Sequence, residues 1–574
     1  MSHLPPLPRL RRRAVIAGGA AGTVGTVGTV AASGAVEPLD AAALEPSPEG
    51  RRLFRHGVAS GDPMPTRVVL WTRVTPTEAS RPGSGRGPVV EVTWEVARDA
   101  RFRRVVRRGT VTTGPDRDHT VKVDARGLRP ATSYHYRFTL RGHHSRVGRT
   151  RTAPGATATP RRVRFGVVSC SNWQAGFFAA YRGLARRDDL DAVLHLGDYL
   201  YEYGPGGYGE GPDEVDVRRH DPAHEIVSLA DYRRRHAQYK TDPDLQDAHA
   251  RHPWIVTWDD HEVANDQWAG GAENHQPGEG GYRRRRAHAH RAYDEWMPVR
   301  LDSTARLGDG TRLYRRLRFG RLAEISMLDL RTYRSEQVET AAPTPVPAAE
   351  AEVSDPDRTI TGTAQRRWLQ RSLARRGSLW KVVGNPVMVT PVTFGQLPRE
   401  ITDAVNAATG VVPDDGFPYN VDQWDGYTAD RRRVLRFIAD HQVQNALFVT
   451  GDIHSAWAAE VPFDVGAYPL RGAGAVEFVC SSVTSNNLKD ITGSPRRTTS
   501  LAVEAAILAE NPHIKYLNFD DHGFCVLDLT ARRAQMDWYV IGERSDRHTR
   551  IRHDRSFATR VGSNRVVEVD GPVR

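Results

Sequence analysis

The sequence predicts an α/β fold in which central β-sheets are flanked by helices in α+β-type layers, with a small N-terminal all-β sandwich domain. Three observations support this prediction. Short apolar runs separated by Gly and Pro turns fill residues 51–155, a strand–helix–strand pattern occupies residues 165–196, and polar motifs follow several later apolar runs. A strand–helix–strand unit indicates a parallel sheet, and ligands bind beyond the carboxyl ends of such strands.

Composition limits the class of protein. The chain has 574 residues, a formal net charge of +11 and 26% charged residues, and Arg greatly outnumbers Lys. This length accommodates roughly two to four domains and a large buried core. The basic charge favours anionic partners such as phosphate esters, wall polymers or nucleic acid, although a solvated Arg-rich surface explains it equally well.

The N-terminus has the pattern of an export signal. Arg11–Arg13 precede a weakly apolar run rich in Gly and Ala, so residues 1–35 are interpreted as a twin-arginine-type signal peptide and residues 36–50 as a linker. Small residues permit cleavage after Ala35 or Ala43. The alternative is an uncleaved membrane anchor, for which the run has too few large apolar residues. No other stretch reaches about 18 apolar residues, so no further membrane span is predicted.

Residues 51–155 are interpreted as the β domain. The runs VVLWTRV, VVEVTWEVA, TVKVDA and YHYRFTL are short, rich in β-branched and aromatic residues, and separated by turns, as in sandwiches. The stretch GLRPATSYHYRF resembles a fibronectin type III strand corner, with Leu128 and Tyr134 packed inside it. Residues 160–550 are interpreted as the second domain, and residues 551–574 as a C-terminal tail.

The second domain begins with the stretch on which the rest of the site depends. Residues 165–203 are predicted to form a strand, a helix and a second strand, each strand followed by a loop. Cys170 follows the first strand and Asp198 the second, and Tyr201 lies three residues further on. A thiolate, a carboxylate and a phenolate together suit a hard metal ion of high charge.

Five short polar motifs occur along this domain, and four of them follow an apolar run. They are SC at 169–170, GDYLY at 197–201, WDDHE at 258–262, GNP at 384–386 and GDIH at 451–454. Carboxylates and an Asn amide supply oxygen ligands, and His454 supplies a nitrogen. Of the three cysteines, Cys480 and Cys525 read as buried strand residues, although an exported chain can oxidise a pair. Five motifs in order indicate a metal site.

With these motifs the chain resembles the calcineurin-like metallophosphoesterase superfamily and, more narrowly, the PhoD-like alkaline phosphatases. WDDHE stands where the superfamily has GNHE, and GDIH where it has GHxH, so Asp260 and Asp452 replace an Asn and a His. Both changes add oxygen ligands, which favours calcium over zinc or manganese. The resemblance covers essentially the whole chain after the signal.

The resemblance implies two kinds of metal ion, Fe³⁺ and Ca²⁺. The ferric ion would be bound through Cys170, Asp198 and Tyr201. The implied calcium ligands are Asp198, Asp260, Asn265 and Asp452, with His454 a contributor to either metal.

Further residues are candidates for catalysis or substrate binding. His261 is expected to contact the phosphate or protonate the leaving group, with Asp260 beside it in the catalytic set. Arg331, in LDLRTYR, is a candidate phosphate clamp, and Asn385, in the GNP motif, a candidate substrate ligand. Each has a structural alternative: a hydrogen-bonding core His, a strand-end ion pair of Arg331 with Asp329, and a turn residue before Pro for Asn385.

The resemblance implies a secreted, extracytoplasmic, metal-dependent alkaline phosphatase. It would hydrolyse phosphate monoesters, and diesters as well, by attack of a metal-activated hydroxide or oxide on phosphorus. The first alternative is a phosphodiesterase acting on wall teichoic acid, phospholipid head groups or nucleic acid. The second is a non-catalytic wall-binding protein, against which the intact ligand motifs argue. The expected partners are the phosphate ester, an anionic wall polymer or phospholipid, and the twin-arginine export machinery.

Overall fold

The computed structural model describes residues 45–208, 216–301, 312–338, 350–396, 398–401 and 416–573. The predicted signal peptide and most of the predicted linker lie outside the described residues. Within these ranges, no helix combines the length and the apolar character needed to cross a bilayer.

Strands dominate the described chain. In order they are β1 (Val58–Met64), β2 (Arg67–Arg73), β3 (Val90–Ala97), β4 (Val105–Thr113), β5 (Thr120–Arg126), β6 (Ser133–Leu140), β7 (His143–His144), β8 (Gly148–Arg151), β9 (Arg162–Val168), β10 (Ala192–Leu196), β11 (Pro253–Thr257), β12 (Arg315–Phe319), β13 (Ala323–Met327), β14 (Trp380–Asn385), β15 (Thr393–Phe394), β16 (Phe417–Pro418), β17 (Ala446–Thr450), β18 (Ala456–Pro462), β19 (Ala473–Val479), β20 (Ile514–Asn518), β21 (Gly523–Thr530), β22 (Arg533–Ile541), β23 (Ile551–Arg560) and β24 (Val567–Glu568).

The α-helices are shorter and lie between these strands. They are α1 (Pro48–Leu53), α2 (Ala179–Ala185), α3 (Leu229–Tyr239), α4 (Pro243–Arg251), α5 (Tyr282–Trp296), α6 (Glu350–Val353), α7 (Thr363–Leu373), α8 (Thr428–Asp440), α9 (Leu488–Thr492) and α10 (Thr499–Glu510). Single 3₁₀ turns occur at Glu78–Ser80, Pro115–Arg117 and Trp424–Tyr427. The predicted strand–helix–strand unit is confirmed as β9, α2 and β10.

Two large mixed sheets form the centre of the molecule. The first is ten-stranded, in the order β24-β23-β22-β21-β9-β10-β11-β1-β2-β5, and the second is seven-stranded, in the order β12-β13-β14-β17-β19-β18-β20. One apolar cluster contains residues from both sheets, among them Leu194 and Ile255 from the first and Ile325 and Leu447 from the second. The two sheets therefore pack face to face.

Helices cover the outer faces of both sheets. Val193 and Trp254, which alternate with the inward residues of β10 and β11, pack with α2 to α5. Val383 and Phe448 of the second sheet pack with α7 and α8. Strands covered on both faces are almost wholly apolar, as the sequence of β10 and β17 shows. The predicted layering of central sheets between helices is confirmed.

The predicted N-terminal domain is less separate than its sequence suggested. Strands β3, β4, β6, β7 and β8 form their own five-stranded sheet, whose apolar residues pack with those of β1, β2 and β5 as the predicted sandwich. However, β1 also pairs in parallel with β11, with Ser60 opposite Pro253. The sandwich thus shares a sheet with the second domain. In the predicted corner, the Arg129 backbone N–H donates to the Tyr134 hydroxyl at 2.8 Å.

The prediction of a C-terminal tail at 551–574 is corrected. Residues 551–560 form β23, which pairs with β22 along its whole length, and β24 pairs with β23. Phe557 is buried in the cluster between the two central sheets. The segment alternates polar and apolar residues weakly, which explains why its sequence did not indicate a strand.

Candidate active site

The predicted motifs meet where the parallel strands of both sheets end. The loop after β9 carries Cys170, the loop after β10 carries Asp198, the loop after β11 carries Asp260, and the loop after β17 carries Asp452 and His454. Backbone hydrogen bonds join these loops: the Cys170 N–H donates to Gly197 O at 3.2 Å and the Val483 N–H donates to Ser169 O at 3.0 Å. The facing sheets thus bring their carboxyl ends to one place.

Four of these residues have a left-handed backbone. The φ angles are +59° at Cys170, +55° at Asp198, +64° at Asp452 and +53° at His454. Non-glycine residues rarely adopt this conformation, which costs about 1–3 kcal/mol at each position and concentrates at functional sites. Each loop therefore turns sharply just after its strand, and the surrounding sheets hold it in that conformation.

Three groups of side chains could each hold a metal ion. Within each group, the donor atoms lie within 4.8 Å of one another. The first group is Cys170, Asp198 and His454, and the second is Asp198, Asp260 and His261. The third is Asp259, Asp260 and Asp452. Asp198 and Asp260 are each shared by two groups. The three groups therefore form one continuous cluster of donors.

Tyr201 and Asn265 lie at this cluster as predicted. The Tyr201 hydroxyl donates to Asp198 Oδ2 at 3.1 Å and lies 3.3 Å from His454 Nε2. It also accepts a hydrogen bond from the Ser485 hydroxyl at 2.6 Å. Asn265 lines the adjoining cavity, and its side-chain N–H donates to Glu273 Oε2 at 3.2 Å. The geometry leaves both residues beside the predicted ligands.

Without a cation, these acidic groups resist ionisation. Burial, with added repulsion from Asp260 and other nearby acids, raises the pKa of Asp198 well above its ordinary value. Burial also raises the pKa of Asp452 and of the Cys170 thiol. Among the residues that the structure describes, none donates a hydrogen bond to the buried Asp198 Oδ1. A buried carboxylate that keeps an unpaired oxygen is costly to ionise, so this donor set fits a bound metal cation.

His261 has the opposite electrostatics. Its Nδ1–H donates to Glu202 Oε2 at 2.8 Å, and the Glu202 side chain also accepts the Asn265 backbone N–H at 2.7 Å. Burial opposes protonation of the ring, but Glu202, Asp260 and Asp198 outweigh it and raise the pKa of His261 well above its usual value. In the metal-free protein, these carboxylates favour the protonated form of the imidazole beside the donor cluster.

Arg331 does not occupy the position of a phosphate clamp. Its guanidinium is fully buried and donates to both carboxylate oxygens of Asp259, at 2.5 and 3.0 Å. It also donates to Asp422 Oδ1 at 2.8 Å and to Asp452 Oδ1 at 3.1 Å. All three guanidinium nitrogens are thus engaged by carboxylates, which corrects its prediction as a catalytic and substrate-binding residue.

The prediction of Asn385 as a substrate-binding residue is also corrected. The side chain is fully buried, its Nδ2 donates to Val387 O and to Thr450 Oγ1, and its Oδ1 accepts from the Trp424 indole N–H at 3.2 Å. It is not among the residues that line the cavity. It fixes the turn that leaves β14, as its structural alternative proposed.

Glu202 and Asp422 are among the site residues that the sequence analysis missed, as is Asp259. Glu202 ends the GDYLYE stretch next to Tyr201, and its place in that motif was a usable signal. Asp422 lies in a segment with no strand-end motif, yet it accepts hydrogen bonds from both Arg331 and Arg334. These two arginines, after the opposing effect of burial, lower the pKa of Asp422.

A cavity of about 440 Å³ opens onto the cluster of donor residues. Five aspartates line it, and none of its lining residues among those described is Lys or Arg. The lining comprises Asp198, Tyr203, Tyr208, Asp260, His261, Asn265, Asp266, Gln337, Tyr419, Asn420, Asp422, Asp452, Ile453, His454, Asn486, Asn487, Leu488, Ile491 and Phe519. A strongly acidic cavity accepts an anionic ligand only when cations are bound in it.

Comparison with known proteins agrees with this geometry. A family model described as PhoD-like phosphatase matches residues 165–538, and one described as the N-terminal domain of PhoD-like phosphatase matches residues 40–154. Alkaline phosphatase D of Bacillus subtilis (strain 168) is 38% identical over 488 residues, which cover 85% of this chain and 77% of that protein. A solved structure described as "Structure of PhoD" superposes with a TM-score of 0.79 at 35% identity and covers 91% of this chain and 93% of the other. The chain belongs to the PhoD-like phosphatase family.

Proposed function

We propose that this protein is an exported, metal-dependent phosphoesterase that hydrolyses phosphate monoesters. The acidic cavity at the strand ends is the observation that carries the proposal. It places five aspartates around the space where a phosphate would bind, and no Lys or Arg among the described lining residues. Membership of the PhoD-like phosphatase family supplies the reaction class.

The donor types suggest how two metals divide the cluster. Cys170, Asp198 and Tyr201 offer thiolate, carboxylate and phenolate donors, which suit Fe³⁺. Asp198, Asp260, Asn265 and Asp452 offer only oxygen donors, which suit Ca²⁺, and His454 lies within reach of the first set. Bound ions would supply the positive charge that phosphate oxygens require and polarise the ester bond.

His261 would be the proton donor in this reaction. Glu202 takes the hydrogen bond from Nδ1, so the second proton of the charged ring lies on Nε2. The ring lines the cavity and stacks on Tyr208 at an interplanar angle of 8°. A protonated imidazole there can stabilise the phosphate by charge and donate a proton to the departing alcohol. Asp260 adjoins it and accepts the Asp266 backbone N–H at 2.7 Å, which fixes the carboxylate.

Export and partners belong to the same proposal. The arginines and small residues of positions 1–35 support export by the twin-arginine route. An anionic wall polymer or a phospholipid is the proposed partner outside the cytoplasm. A phosphodiesterase would use the same metal cluster, so the geometry of the ligands does not separate it from a monoesterase. A non-catalytic wall-binding role is disfavoured because five of the proposed ligands line one cavity: Asp198, Asp260, Asn265, Asp452 and His454.

The experiment compares an aryl phosphate monoester with the matching diester, using full-length folded protein whose metals are counted by mass spectrometry. We expect monoester turnover that is lost on chelation and restored by calcium. A strong diester preference would move the function to a phosphodiesterase. Absence of turnover of both esters by protein that holds its metals would overturn the proposal.

A further inference from the structure

A second cavity, of about 710 Å³, lies between the sandwich and the second domain. Strands β1, β2 and β5 supply one side of its lining, and α5, β12, α7 and the segments next to them supply the rest. It shares no lining residue with the acidic cavity at the strand ends. Its volume is within the range of about 300–1,000 Å³ that is usual for sites of small molecules.

The lining of this second cavity is strongly cationic. Seven of its lining residues are Lys or Arg and three are Asp, so cations exceed carboxylates by four, and we call it the cationic cavity. An excess of positive charge at a concave surface attracts anions without the help of a metal ion. The seven cations are Arg67, Lys122, Arg126, Arg300, Arg312, Arg315 and Arg316.

One carboxylate of the cationic cavity is shared by three arginines. The side-chain oxygens of Asp124 lie 2.6 Å from Arg300, 2.8 Å from Arg126 and 3.2 Å from Arg67. Burial opposes ionisation of Asp124, but these arginines, Arg300 foremost, outweigh it and lower the pKa of the carboxyl. A single negative charge does not offset three positive ones, so this side of the cavity keeps a net positive charge.

The other two aspartates of the lining are paired within it as well. Asp62 contacts Arg315 at 2.6 Å, and Asp294 contacts Lys122 at 2.5 Å. The three groups of metal donors found among the described residues all belong to the cluster at the strand ends. The carboxylates of the cationic cavity therefore position its cations, and a ligand bound there is held and not hydrolysed.

Two arginines of the lining keep donors that no described residue uses. The Nε and Nη2 atoms of Arg300 are buried, and none of the described residues accepts a hydrogen bond from them. Arg312 is exposed, and its guanidinium lies 4.5 Å from the centroid of the Tyr314 ring; the described part of the chain gives it no ion pair. A buried guanidinium donor without a partner is unfavourable, and an anionic oxygen would satisfy it.

We infer that the cationic cavity binds a small molecule that carries several phosphate groups on an organic skeleton. The excess of positive charge favours a ligand with more than one phosphate. The skeleton finds apolar contact at Leu301, Leu317 and Trp368, which also line the cavity. The site is additional to the one at the strand ends, so the inference goes beyond the proposed hydrolysis. Because the lining comes from the sandwich and from the second domain, the bound ligand joins them and stabilises the folded protein.

The test is calorimetric titration of the metal-loaded, full-length protein with myo-inositol hexakissulfate, whose sulfates imitate phosphates but are not consumed by a phosphatase. We expect a single bound molecule per chain, retained after chelation of the metals. Binding should weaken as the ionic strength rises from about 0.01 M to about 0.15 M, because the Debye length falls from about 30 Å to about 8 Å. Uncharged myo-inositol should not bind, and free sulfate should bind at least about tenfold more weakly than the probe.

Variants locate the bound probe. Arg312→Glu should weaken its binding at least about tenfold, because it reverses one charge of the cavity, and Arg312→Lys should retain most of the affinity. The matched control is Arg532→Glu, which reverses an exposed arginine in the turn between β21 and β22, outside both cavity linings. Slower hydrogen–deuterium exchange of β5 and β12 in the parent protein with bound probe is a second readout that needs no variant.

Three results would overturn the inference. The first is binding that is lost on chelation and is unaffected by Arg312→Glu, which would place the probe at the strand ends. The second is absence of probe binding at low ionic strength, and the third is free sulfate that binds as tightly as the probe. None of them bears on the phosphatase proposal, which is decided by turnover of the aryl esters and should be unchanged in Arg312→Glu.

Discussion

Replacing Arg331 with Met should destabilise the metal-free protein severely. The guanidinium donates to the carboxylates of Asp259, Asp422 and Asp452 through contacts of 2.5 to 3.1 Å, and its own exposure is zero. Removing one partner of a buried ion pair costs about 3–5 kcal/mol because the other charge stays buried and unpaired. Since Asp422 and Asp452 keep 13% and 16% of their side-chain exposure, water relieves part of their penalty. We therefore expect a loss of about 4 kcal/mol of unfolding free energy.

The assay is urea unfolding of the metal-free protein, followed by tryptophan fluorescence, with and without added metals. A bound metal ion would offset the charge of Asp452, so Arg331→Met should lower the unfolding free energy less in the metal-bound protein. Adding Asp259→Asn to Arg331→Met removes one stranded charge and should restore about 2 kcal/mol.

Arg126→Met is the matched control, because that arginine is 72% exposed although it also pairs with an aspartate. Its unfolding free energy should stay within about 0.5 kcal/mol of the parent. A loss of less than about 1 kcal/mol of unfolding free energy for Arg331→Met would refute the view that this arginine stabilises the three surrounding carboxylates.

Three further results are expected. Cys170→Ala should lower the affinity for a trivalent ion at least about 100-fold, as counted by metal analysis, while calcium remains; unchanged iron would remove Cys170 from the ligand set. Glu202→Gln should lower the pKa of His261, because Glu202 is the largest influence that raises it against burial, and the alkaline limb of the kcat/KM profile should move to lower pH. A limb that stays in place would show that His261 is not the acid. Lys240 is buried, donates to the Tyr199 hydroxyl at 2.6 Å, and has a pKa lowered well below its usual value by burial. Its unfolded state binds more protons than its folded state, so parent stability should rise with pH up to about 10.4. At pH 7, Lys240→Met should therefore be more stable than the parent protein in urea unfolding. That advantage should shrink towards pH 10, and an equal or lower stability at pH 7 would contradict this account.

The donor residues at the strand ends were the predictable part of the site. Cys170, Asp198, Asp260 and Asp452 each follow a short apolar run, and parallel strands bring such positions to one edge. Asp422 could not be found this way, because it follows no apolar strand run in the sequence. Arg331 was located but given the wrong task, since sequence does not show that three carboxylates surround its guanidinium.

The layered fold could be predicted because local sequence patterns indicate which segments are strands and helices. The boundary between the sandwich and the second domain could not be predicted in this way. Alternation and composition indicate that a segment is a strand, but not which strand lies beside it. Nothing in VASGDPM, the sequence of β1, indicates a parallel neighbour almost 200 residues away. The pairing of β23 with β22 was hidden by its many charged residues.

The place of β1 in the first sheet has a consequence for how the chain is made. Residues near position 60 complete a sheet that also needs β21 to β23, near the other end of the chain, so sheet formation waits for nearly complete synthesis. Contacts this distant in sequence slow folding. A fragment lacking β1, β2 and β5 would expose β11, whose five residues are all buried in the intact protein, as an apolar edge that favours aggregation. Strands β1, β2 and β5 of the sandwich thus cover the edge of the ten-stranded sheet at β11.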